Sequence, residues 1–229
     1  MSDAPTISTV VTFWNRADYL AEAVDGVLAQ ALPEGATSEL LLIDDGSDDD
    51  SPAVAQRYAP PARVVRQENR GPAGAANTGV REARGEYLAF CDSDDVWLPG
   101  KLLAQLAAAR GGADLVFVHV EEFLSPELDP EIARTRELRA AMPGYIPSCV
   151  CLRRDAFERV GLFDESLQNG AWVDWYTRAR AAELSEIVLE PVFVRRRIHT
   201  TNNWALQEQG SIGYLRALRA WVHQQRGES

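Results

Sequence analysis

The sequence predicts an α/β protein in a single domain, with a mainly parallel sheet flanked by helices on both faces. Short apolar segments rich in β-branched residues alternate with segments of helical periodicity through the first half of the chain. Chains that alternate in this way bury parallel strands between two layers of helices. Polar residues also follow most of the predicted strands, at the sheet edge where ligands of such folds bind. We therefore expect a ligand site at the carboxyl ends of the strands.

Five strands and four helices are predicted in the first half of the chain. The predicted strands are residues 7–13, 39–43, 63–66, 86–91 and 114–118. The predicted helices are about residues 20–31, 52–58, 71–84 and 99–109. The first helix is supported by the helical spacing of Leu20, Val24 and Val27. Gly85 suits a carboxyl-terminal cap of the third helix.

The second half of the chain is less regular in sequence. Helices are predicted around residues 130–141, 154–160 and 172–182, and residues 186–198 indicate one or two strands with an interruption at Pro191. A further helix is predicted over residues 205–226.

Composition limits the classes of function. The 229 residues are 46% apolar and carry a formal net charge of −11, which suits an acidic globular protein and disfavours nucleic acid or an anionic membrane as partner. No apolar run is long enough to span a membrane, no signal peptide is visible, and three cysteines do not make a disulfide framework. We expect a cytoplasmic protein, in which an anionic ligand needs local cations or a metal.

The acidic segment Asp92-Ser93-Asp94-Asp95 follows an apolar strand. Carboxylates this dense repel one another unless a cation holds them, and oxygen ligands suit Mg²⁺ or Mn²⁺. Mg²⁺ commonly uses one or two carboxylates together with substrate phosphates. The alternative is an acidic turn that caps a helix, and spacing alone does not decide between the two. The second acidic run, Asp44 to Ser51, is either a calcium loop or a solvated loop that turns and caps a helix, and it lacks the final Glu of the EF-hand spacing.

Four polar clusters are expected to meet at one edge of the sheet. They are residues 12–16, 44–47, 67–71 and 92–95, each beyond the end of a predicted strand. Their convergence predicts a binding site more strongly than any one cluster. Elsewhere, Cys149 and Cys151 would point the same way in a strand, and we interpret them as buried free cysteines rather than a metal pair.

Six segments agree in order and spacing with a known family. They are Thr9–Leu20, Leu42–Ser47, Gln67–Gly79, Gly85–Phe90, Asp92–Asp95 and Trp97–Leu102, and weaker similarity continues through 153–164 and 195–203. With these segments the chain resembles glycosyltransferase family 2, the inverting glycosyltransferases of GT-A fold. The resemblance implies one GT-A domain with a Rossmann-like nucleotide half at about 1–109, an acceptor half at about 110–203 and a helical segment at about 204–229.

The resemblance also implies roles for individual residues. Asp45 would hydrogen-bond the base, usually uracil, and Asp94 would bind the metal and diphosphate. His199, in the element His199-Thr200-Thr201-Asn202, would reach back to the metal, with Arg195 to Arg197 nearby. The implied donor-binding residues are Thr12, Phe13, Asn15, Arg16, Asp45, Gly74, Asn77, Asp92, Ser93 and Asp94, and the implied metal ligands are Asp92, Asp94 and His199.

The catalytic base is where the sequence departs from the family. Alignment on Arg178 puts Ala171 and Trp172 where the family has a Glu-Asp pair, so Asp174 is the candidate base. The alternatives are an ion pair between Asp174 and Arg178, an acceptor such as a thiol that needs no carboxylate base, and a protein that binds donor without efficient transfer. Trp172 would then stack on a sugar face.

The resulting hypothesis is an inverting sugar transfer from a nucleoside diphosphate sugar, with UDP as the expected nucleotide and Mn²⁺ or Mg²⁺ as the metal. The acceptor is not identified by the sequence, and a homodimer is an open expectation. Two alternatives are a sugar-nucleotide-binding protein without efficient transfer and a metal-dependent phosphohydrolase.

Overall fold

The computed structural model describes residues 6–128, 130–167 and 169–200. Its strands are β1 (Ile7–Phe13), β2 (Ser38–Asp44), β3 (Arg63–Arg66), β4 (Tyr87–Asp92), β5 (Val96–Trp97), β6 (Leu115–Leu124), β7 (Met142–Pro143), β8 (Val150–Arg153) and β9 (Glu186–Ile198). Its helices are α1 (Leu20–Leu28), α2 (Ser51–Gln56), α3 (Gly71–Glu82), α4 (Lys101–Arg110), α5 (Pro130–Thr135), α6 (Arg154–Val160) and α7 (Ala171–Ala181). A 3₁₀ turn at Pro147–Cys149 leads into β8.

Within the described residues the strands form one sheet of nine, in the order β3-β2-β1-β4-β8-β6-β9-β5, with β7 paired to β6. β3, β2, β1 and β4 are parallel neighbours, and β6 and β9 run parallel to each other. β8 is antiparallel to both β4 and β6, and β5 is antiparallel to β9. The predicted fold class, α/β with a mostly parallel sheet, is therefore confirmed.

The sheet is covered by helices on both faces, because successive side chains of a strand point to opposite sides. Val11 and Leu42 pack in the core on the side of α1, α2 and α4, whereas Val10 and Leu41 pack on the side of α3, α6 and α7. Gly79 lets α3 lie directly on β1, since a Cβ at this position would overlap the side chain of Val10. α3 thereby sets the position of the loop between β3 and α3, which borders the ligand edge of the sheet.

Strand β6 is longer than the sequence indicated. The predicted strand ended at residue 118 because charged residues follow, but β6 continues to Leu124. Its Glu121 and Glu122 lie beside Arg195 and Arg196 of β9, and the Arg195 Nε lies 3.2 Å from the Glu121 Oε1. Opposite charges on neighbouring strands stabilise the pairing. The partners are distant in sequence, so the local pattern of β6 alone does not predict the extension.

Other element boundaries also differ from the prediction. Helix α5 ends at Thr135 rather than near residue 141, and β8 was not predicted as a separate strand. β9 is one strand, and the predicted interruption at Pro191 is a shift of register against β6 near that residue. Proline has no N–H to donate, so the ladder skips it.

The predicted helix at 205–226, the whole 204–229 segment and Asn202 lie outside the described residues. Within the described part of the chain, every helix is too short or too polar to cross a bilayer.

Candidate active site

A cleft of about 910 Å³ lies at the carboxyl ends of the parallel strands. Residues from all four predicted polar clusters line it, so the expected convergence is present in the structure. The lining includes Thr12, Phe13, Trp14, Arg16, Asp45, Asn69, Gly71, Asp92, Ser93, Asp94, Asp95, Asn169, Gly170 and Arg196. Thr12 and Phe13 end β1, Asp45 follows β2, and Asp92 ends β4. The parallel topology therefore brings these segments together.

Asp45 is held in a fixed orientation by the loop after β3. Its Oδ1 accepts hydrogen bonds from the Gln67 Nε2 at 2.7 Å and from the Arg70 backbone N–H at 2.9 Å. Asp45 is buried on the protein side and still lines the cleft. Among the described residues both hydrogen bonds go to one carboxylate oxygen, so the other can accept a bond from a group in the cleft.

Asn15 supports the cleft without lining it. Its φ is +52°, a left-handed conformation that asparagine tolerates better than most residues. The Asn15 Nδ2 donates to the Asp48 Oδ1 at 2.6 Å, and the Asp48 backbone N–H donates to the Asn15 Oδ1 at 3.0 Å. Asn15 therefore ties the loop after β1 to the acidic loop after β2, which fixes the relative position of two walls of the cleft.

The acidic segment after β4 contains three carboxylates with different surroundings. Burial would raise the pKa of Asp94, but its hydrogen bond to His199 and the charge of Arg16 outweigh burial and hold the pKa below its usual value. The His199 Nε2 lies 3.0 Å from the Asp94 Oδ2, and the Arg16 Nε lies 3.8 Å from the same oxygen. Asp94 is therefore the carboxylate that stays ionised.

Asp92 and Asp95 lack such strong support. Burial and the neighbouring Asp94 raise the pKa of Asp92 from 3.8 to about 6. Burial, Asp94 and Asp92 raise the pKa of Asp95 well above its usual range. The Asp95 Oδ1 accepts a bond from the Arg197 backbone N–H at 3.3 Å, whereas its Oδ2 is buried without a hydrogen-bond partner in the described chain. The segment thus holds more negative charge than the surrounding cations compensate.

Residues at and just after the end of β9 contact this acidic segment or line the cleft beside it. His199 is buried, and its ring centroid lies 4.5 Å from that of Tyr19. Arg197 donates to the Asp94 carbonyl at 3.1 Å and pairs with Glu22. Arg196 lines the cleft itself. Of the two neighbouring arginines of β9, Arg196 thus lines the cleft and Arg197 holds the backbone of the acidic segment.

These residues fit a divalent metal that is bound together with a ligand. Asp92 and Asp94 both line the cleft, and the unsatisfied Oδ2 of Asp95 marks a shortage of positive charge beside them. Among the described residues no group of three His, Cys, Asp or Glu side chains is arranged to hold a metal alone. Mg²⁺ commonly binds through one or two carboxylates and completes its shell with phosphate oxygens and water. A phosphorylated ligand would therefore be part of the metal site.

Besides Asn15, two further donor-binding residues implied by the resemblance, Asn77 and Gly74, lie outside the cleft lining. Asn77 is buried and holds the segment before α7: its Nδ2 donates to the Phe163 carbonyl at 3.0 Å and to the Glu165 Oε1 at 2.8 Å, and the Phe163 N–H donates to its Oδ1 at 3.0 Å. Gly74 lies under Arg70, where a Cβ would stand 2.5 Å from the Arg70 Cβ. Arg70 in turn pairs with Glu165 at 2.6 Å. Both residues position the cleft wall in this structure.

A second pocket of about 190 Å³ opens beside the cleft, and Trp172 and Ala171 at the start of α7 line it. The Trp172 Nε1 donates to the Tyr145 carbonyl at 2.9 Å. Asp174 lines neither cavity, and its Oδ2 lies 2.9 Å from the Arg178 Nε. Arg178 also donates to the carbonyls of Val160 and Leu162. Of the two roles that the sequence offers for Asp174, the structure favours the ion pair over the base.

Several lining residues were not predicted from the sequence. Pro147, Asn169 and Gly170 lie on loops of the second half, and Ser148 accepts a hydrogen bond from the Asp92 backbone N–H at 2.9 Å. No motif marks these positions, because loops reach the cleft through long-range topology rather than local pattern. Trp14, half exposed at the cleft, was within a matched segment and could have been singled out as an exposed aromatic side chain.

The fold is similar to the folds of two solved structures. A mannosyltransferase from Pyrobaculum calidifontis, solved with GDP-Man and Mn²⁺, superimposes with a TM-score of 0.70 at 20% identity, covering 94% of this chain and 65% of that one. Residues 1–349 of Staphylococcus aureus TarS, solved with UDP-GlcNAc, superimpose with a TM-score of 0.69 at 19% identity, covering 86% and 59%.

The sequence comparison identifies the family. Residues 8–161 match the family model described as Glycosyl transferase family 2, and the chain belongs to this family. The succinoglycan biosynthesis protein ExoO of Rhizobium meliloti is 33% identical over 72% of this chain, which spans 53% of that relative. The resemblance drawn from the motifs is thus confirmed.

Proposed function

We propose that the protein is a metal-dependent inverting glycosyltransferase that moves a sugar from a nucleoside diphosphate sugar, with UDP as the nucleotide, to an acceptor. The observation that carries the proposal is the convergence of Asp45, Asp92 and Asp94 in one cleft, together with Arg16 and Arg196. An acidic protein that presents two cations and a metal-type carboxylate pair in one cleft is suited to an anionic ligand.

Different residues of the cleft bind different parts of the donor. The free oxygen of Asp45 accepts a hydrogen bond from the base, while Thr12 and Phe13 border the base and ribose. Asp92 and Asp94 hold Mn²⁺ or Mg²⁺, which neutralises charge on the leaving diphosphate. Arg16 and Arg196 add positive charge at the same place, and His199 keeps Asp94 ionised and oriented. Electrostatic stabilisation of the leaving group is the largest demand of such a transfer.

The solved neighbours support the donor class. One was solved with GDP-Man and Mn²⁺ and another with UDP-GlcNAc. At 20% and 19% identity they support the fold, and their ligands motivate the nucleotide and metal that we propose. The choice of UDP rests on the resemblance and on the position of Asp45 in the cleft.

Calorimetry tests the donor site. UDP and GDP are titrated in turn into the full chain with Mn²⁺, with Mg²⁺ and with EDTA, and donor hydrolysis is followed in parallel. We expect UDP to bind with a divalent metal present and at least about 100-fold more weakly in EDTA, by analogy with the cost of disturbing metal sites. The absence of nucleotide binding under every condition would overturn the proposal.

A second candidate, donor binding without efficient transfer, is favoured by one observation. The position where the family has a carboxylate pair carries Ala171 and Trp172, and the Trp172 N–H is bound to the Tyr145 carbonyl. Mass spectrometry of a UDP-sugar panel with a broad acceptor mixture separates the candidates. We expect a glycosylated product; tight binding with no product across the panel would support the binding protein instead.

The proposal also includes the cellular compartment and the oligomeric state of the protein. Cys91, Cys149 and Cys151 are buried free thiols, as predicted for the last two, and free thiols suit the reducing cytoplasm that we propose. Light scattering at two concentrations would show whether the chain forms the proposed homodimer.

A further inference from the structure

The 190 Å³ pocket has an unusual distribution of polar residues. It shares Thr12, Pro72, Asp92, Pro147, Asn169 and Gly170 with the main cleft, so these residues form its mouth. Every polar side chain of the lining apart from the thiol of Cys91 belongs to this mouth. The interior is apolar and includes Val10, Ala73, Ala76, Phe90, Phe163 and Trp172.

Trp172 presents only hydrocarbon to this pocket. Its one N–H is bound to the Tyr145 carbonyl at 2.9 Å, and its ring stacks on Trp175 with centroids 5.5 Å apart. Val10 and Phe90, on neighbouring strands, are almost fully buried and add a rigid apolar floor. A group that enters the interior thus finds no side-chain oxygen or nitrogen with which to replace its hydrogen bonds to water.

This distribution discriminates between sugar substituents. A hydroxyl buried in the interior would lose its hydrogen bonds to water and find no side-chain partner there, which is costly. A methyl or short alkyl group would instead be stabilised by its removal from water. At the mouth, the Thr12 hydroxyl and the Asn169 amide make no hydrogen bond to the described part of the chain, so both are available to a polar linker. The pocket therefore suits an amide at its mouth with an alkyl group beyond it.

The pocket lies where the transferred sugar of the proposed donor would be. It shares Thr12 and Asp92 with the cleft but neither Asp45 nor Asp94, so it opens beside the ribose and diphosphate positions, and Ala171 and Trp172, which stand where the family has its Glu-Asp pair, line it. We propose that it receives the acyl group of an acylamino sugar, so that the preferred donor carries an N-acyl substituent rather than a free hydroxyl. This inference rests on the proposed nucleotide-sugar donor. An apolar cavity of about 150 Å³ holds benzene, so there is also room for acyl chains longer than acetyl.

Three donors test the proposal by calorimetry with Mn²⁺: UDP, UDP-glucose and UDP-N-acetylglucosamine. We expect UDP-N-acetylglucosamine to bind about 10-fold more tightly than UDP-glucose, from one buried methyl group and one hydrogen bond. The N-butanoyl analogue should bind at least as tightly as the N-acetyl donor. Equal binding of UDP-glucose and UDP-N-acetylglucosamine, with UDP itself bound, would overturn this inference alone. Failure to bind UDP would overturn the proposed function as well.

A matched pair of variants on α7 locates the effect. Ala171→Leu fills the pocket from the start of the helix, whereas Ala181→Leu makes the same change at its exposed end. We expect Ala171→Leu to bind UDP normally and to lose the preference for the N-acetyl donor, and Ala181→Leu to behave as the original protein. A preference that survives in Ala171→Leu would place the acyl group elsewhere and refute the pocket assignment.

Discussion

Asp94 shows how a single side chain is prepared for its role. It is ionised because His199 lies 3.0 Å and Arg16 3.8 Å from one of its oxygens. Two positions earlier, Asp92 has a pKa raised to about 6 by burial and by the charge of Asp94. Neighbouring residues of one segment thus differ in the pH at which they ionise, because Asp94 has the stronger partners.

We expect Asp94→Ala to abolish metal-dependent binding of UDP. Removal of a direct metal ligand should weaken binding by more than the 10- to 100-fold that is typical for outer partners. Calorimetry with and without Mn²⁺ measures the loss. Asp50→Ala, an exposed carboxylate at the start of α2, is the matched control and should bind normally. Metal-dependent binding that persists in Asp94→Ala would show that the metal lies elsewhere.

We expect Asp174→Asn to retain donor binding and turnover. Asp174 lies outside both cavities and pairs with Arg178, and such i,i+4 pairs contribute about 0.3–0.5 kcal/mol. The measurements are urea unfolding, which should change by no more than this amount, and product formation. A 100-fold loss of turnover with intact binding would instead assign the catalytic base to Asp174.

At the scale of elements, the cleft depends on contacts between helices and loops distant in sequence. Asn77 of α3 binds both the N–H and the carbonyl of Phe163, and Arg70 just before α3 pairs with Glu165. These bonds hold the segment before α7, whose Asn169 and Gly170 line the cleft. The resemblance assigned Asn77 to the ligand, whereas the structure gives it an architectural contact.

We expect Asn77→Ala to destabilise the protein by about 2–4 kcal/mol, because the buried N–H and carbonyl of Phe163 lose their partners. Urea unfolding of the full chain measures the change. Thr78→Ala, the neighbouring change on α3, should stay within about 0.5 kcal/mol. Equal stability of Asn77→Ala and the original protein would contradict the architectural role.

The sequence predicted the elements that are locally encoded and missed those that depend on partners. The first four parallel strands and the convergence of their polar ends follow from apolar runs that end in polar turns. The extension of β6 through Glu121 and Glu122 was missed, because its stability comes from arginines on β9. The apolar pocket was missed for the same reason, since Val10, Ala76 and Trp172 come together only in three dimensions.

At the scale of the whole molecule, buried ionisable groups determine the response to alkali. Cys91, Cys149 and Cys151 are buried near Lys101, and burial raises the pKa of all three thiols, that of Cys151 from 9.0 to about 12. Burial lowers the pKa of Lys101 from 10.5 to about 8. The thiols and the amine therefore act on stability with opposite sign.

We expect the free energy of unfolding to fall between pH 9 and pH 11. In this window the unfolded thiols ionise while the folded ones stay protonated, which costs up to about 1.4 kcal/mol per pH unit for each thiol. Lys101 acts in the opposite direction and raises the free energy of unfolding up to about pH 10.5. In this range the folded amine is already neutral, while the unfolded amine still binds a proton. The combined effect of three thiols on the free energy of unfolding exceeds the opposite effect of one amine, so the net free energy of unfolding falls.

Urea unfolding at the two pH values measures this fall. Cys151→Ala should make it shallower by up to about 1.4 kcal/mol per unit, and Lys101→Met should make it steeper by a similar amount. A slope that is identical in all three proteins would show that these groups are not buried as described.

Several contacts of the acidic segment come from residues far along the chain. His199 and Arg197 contact Asp94 and Asp95 across sequence separations of 102 to 105 positions. During synthesis the first four parallel strands therefore leave the ribosome long before their carboxylates acquire these partners. Until β9 arrives, the nascent chain carries a self-repelling acidic edge that holds a nucleotide poorly. Binding of the proposed donor should thus depend on β9 as well as on the strands that carry the carboxylates.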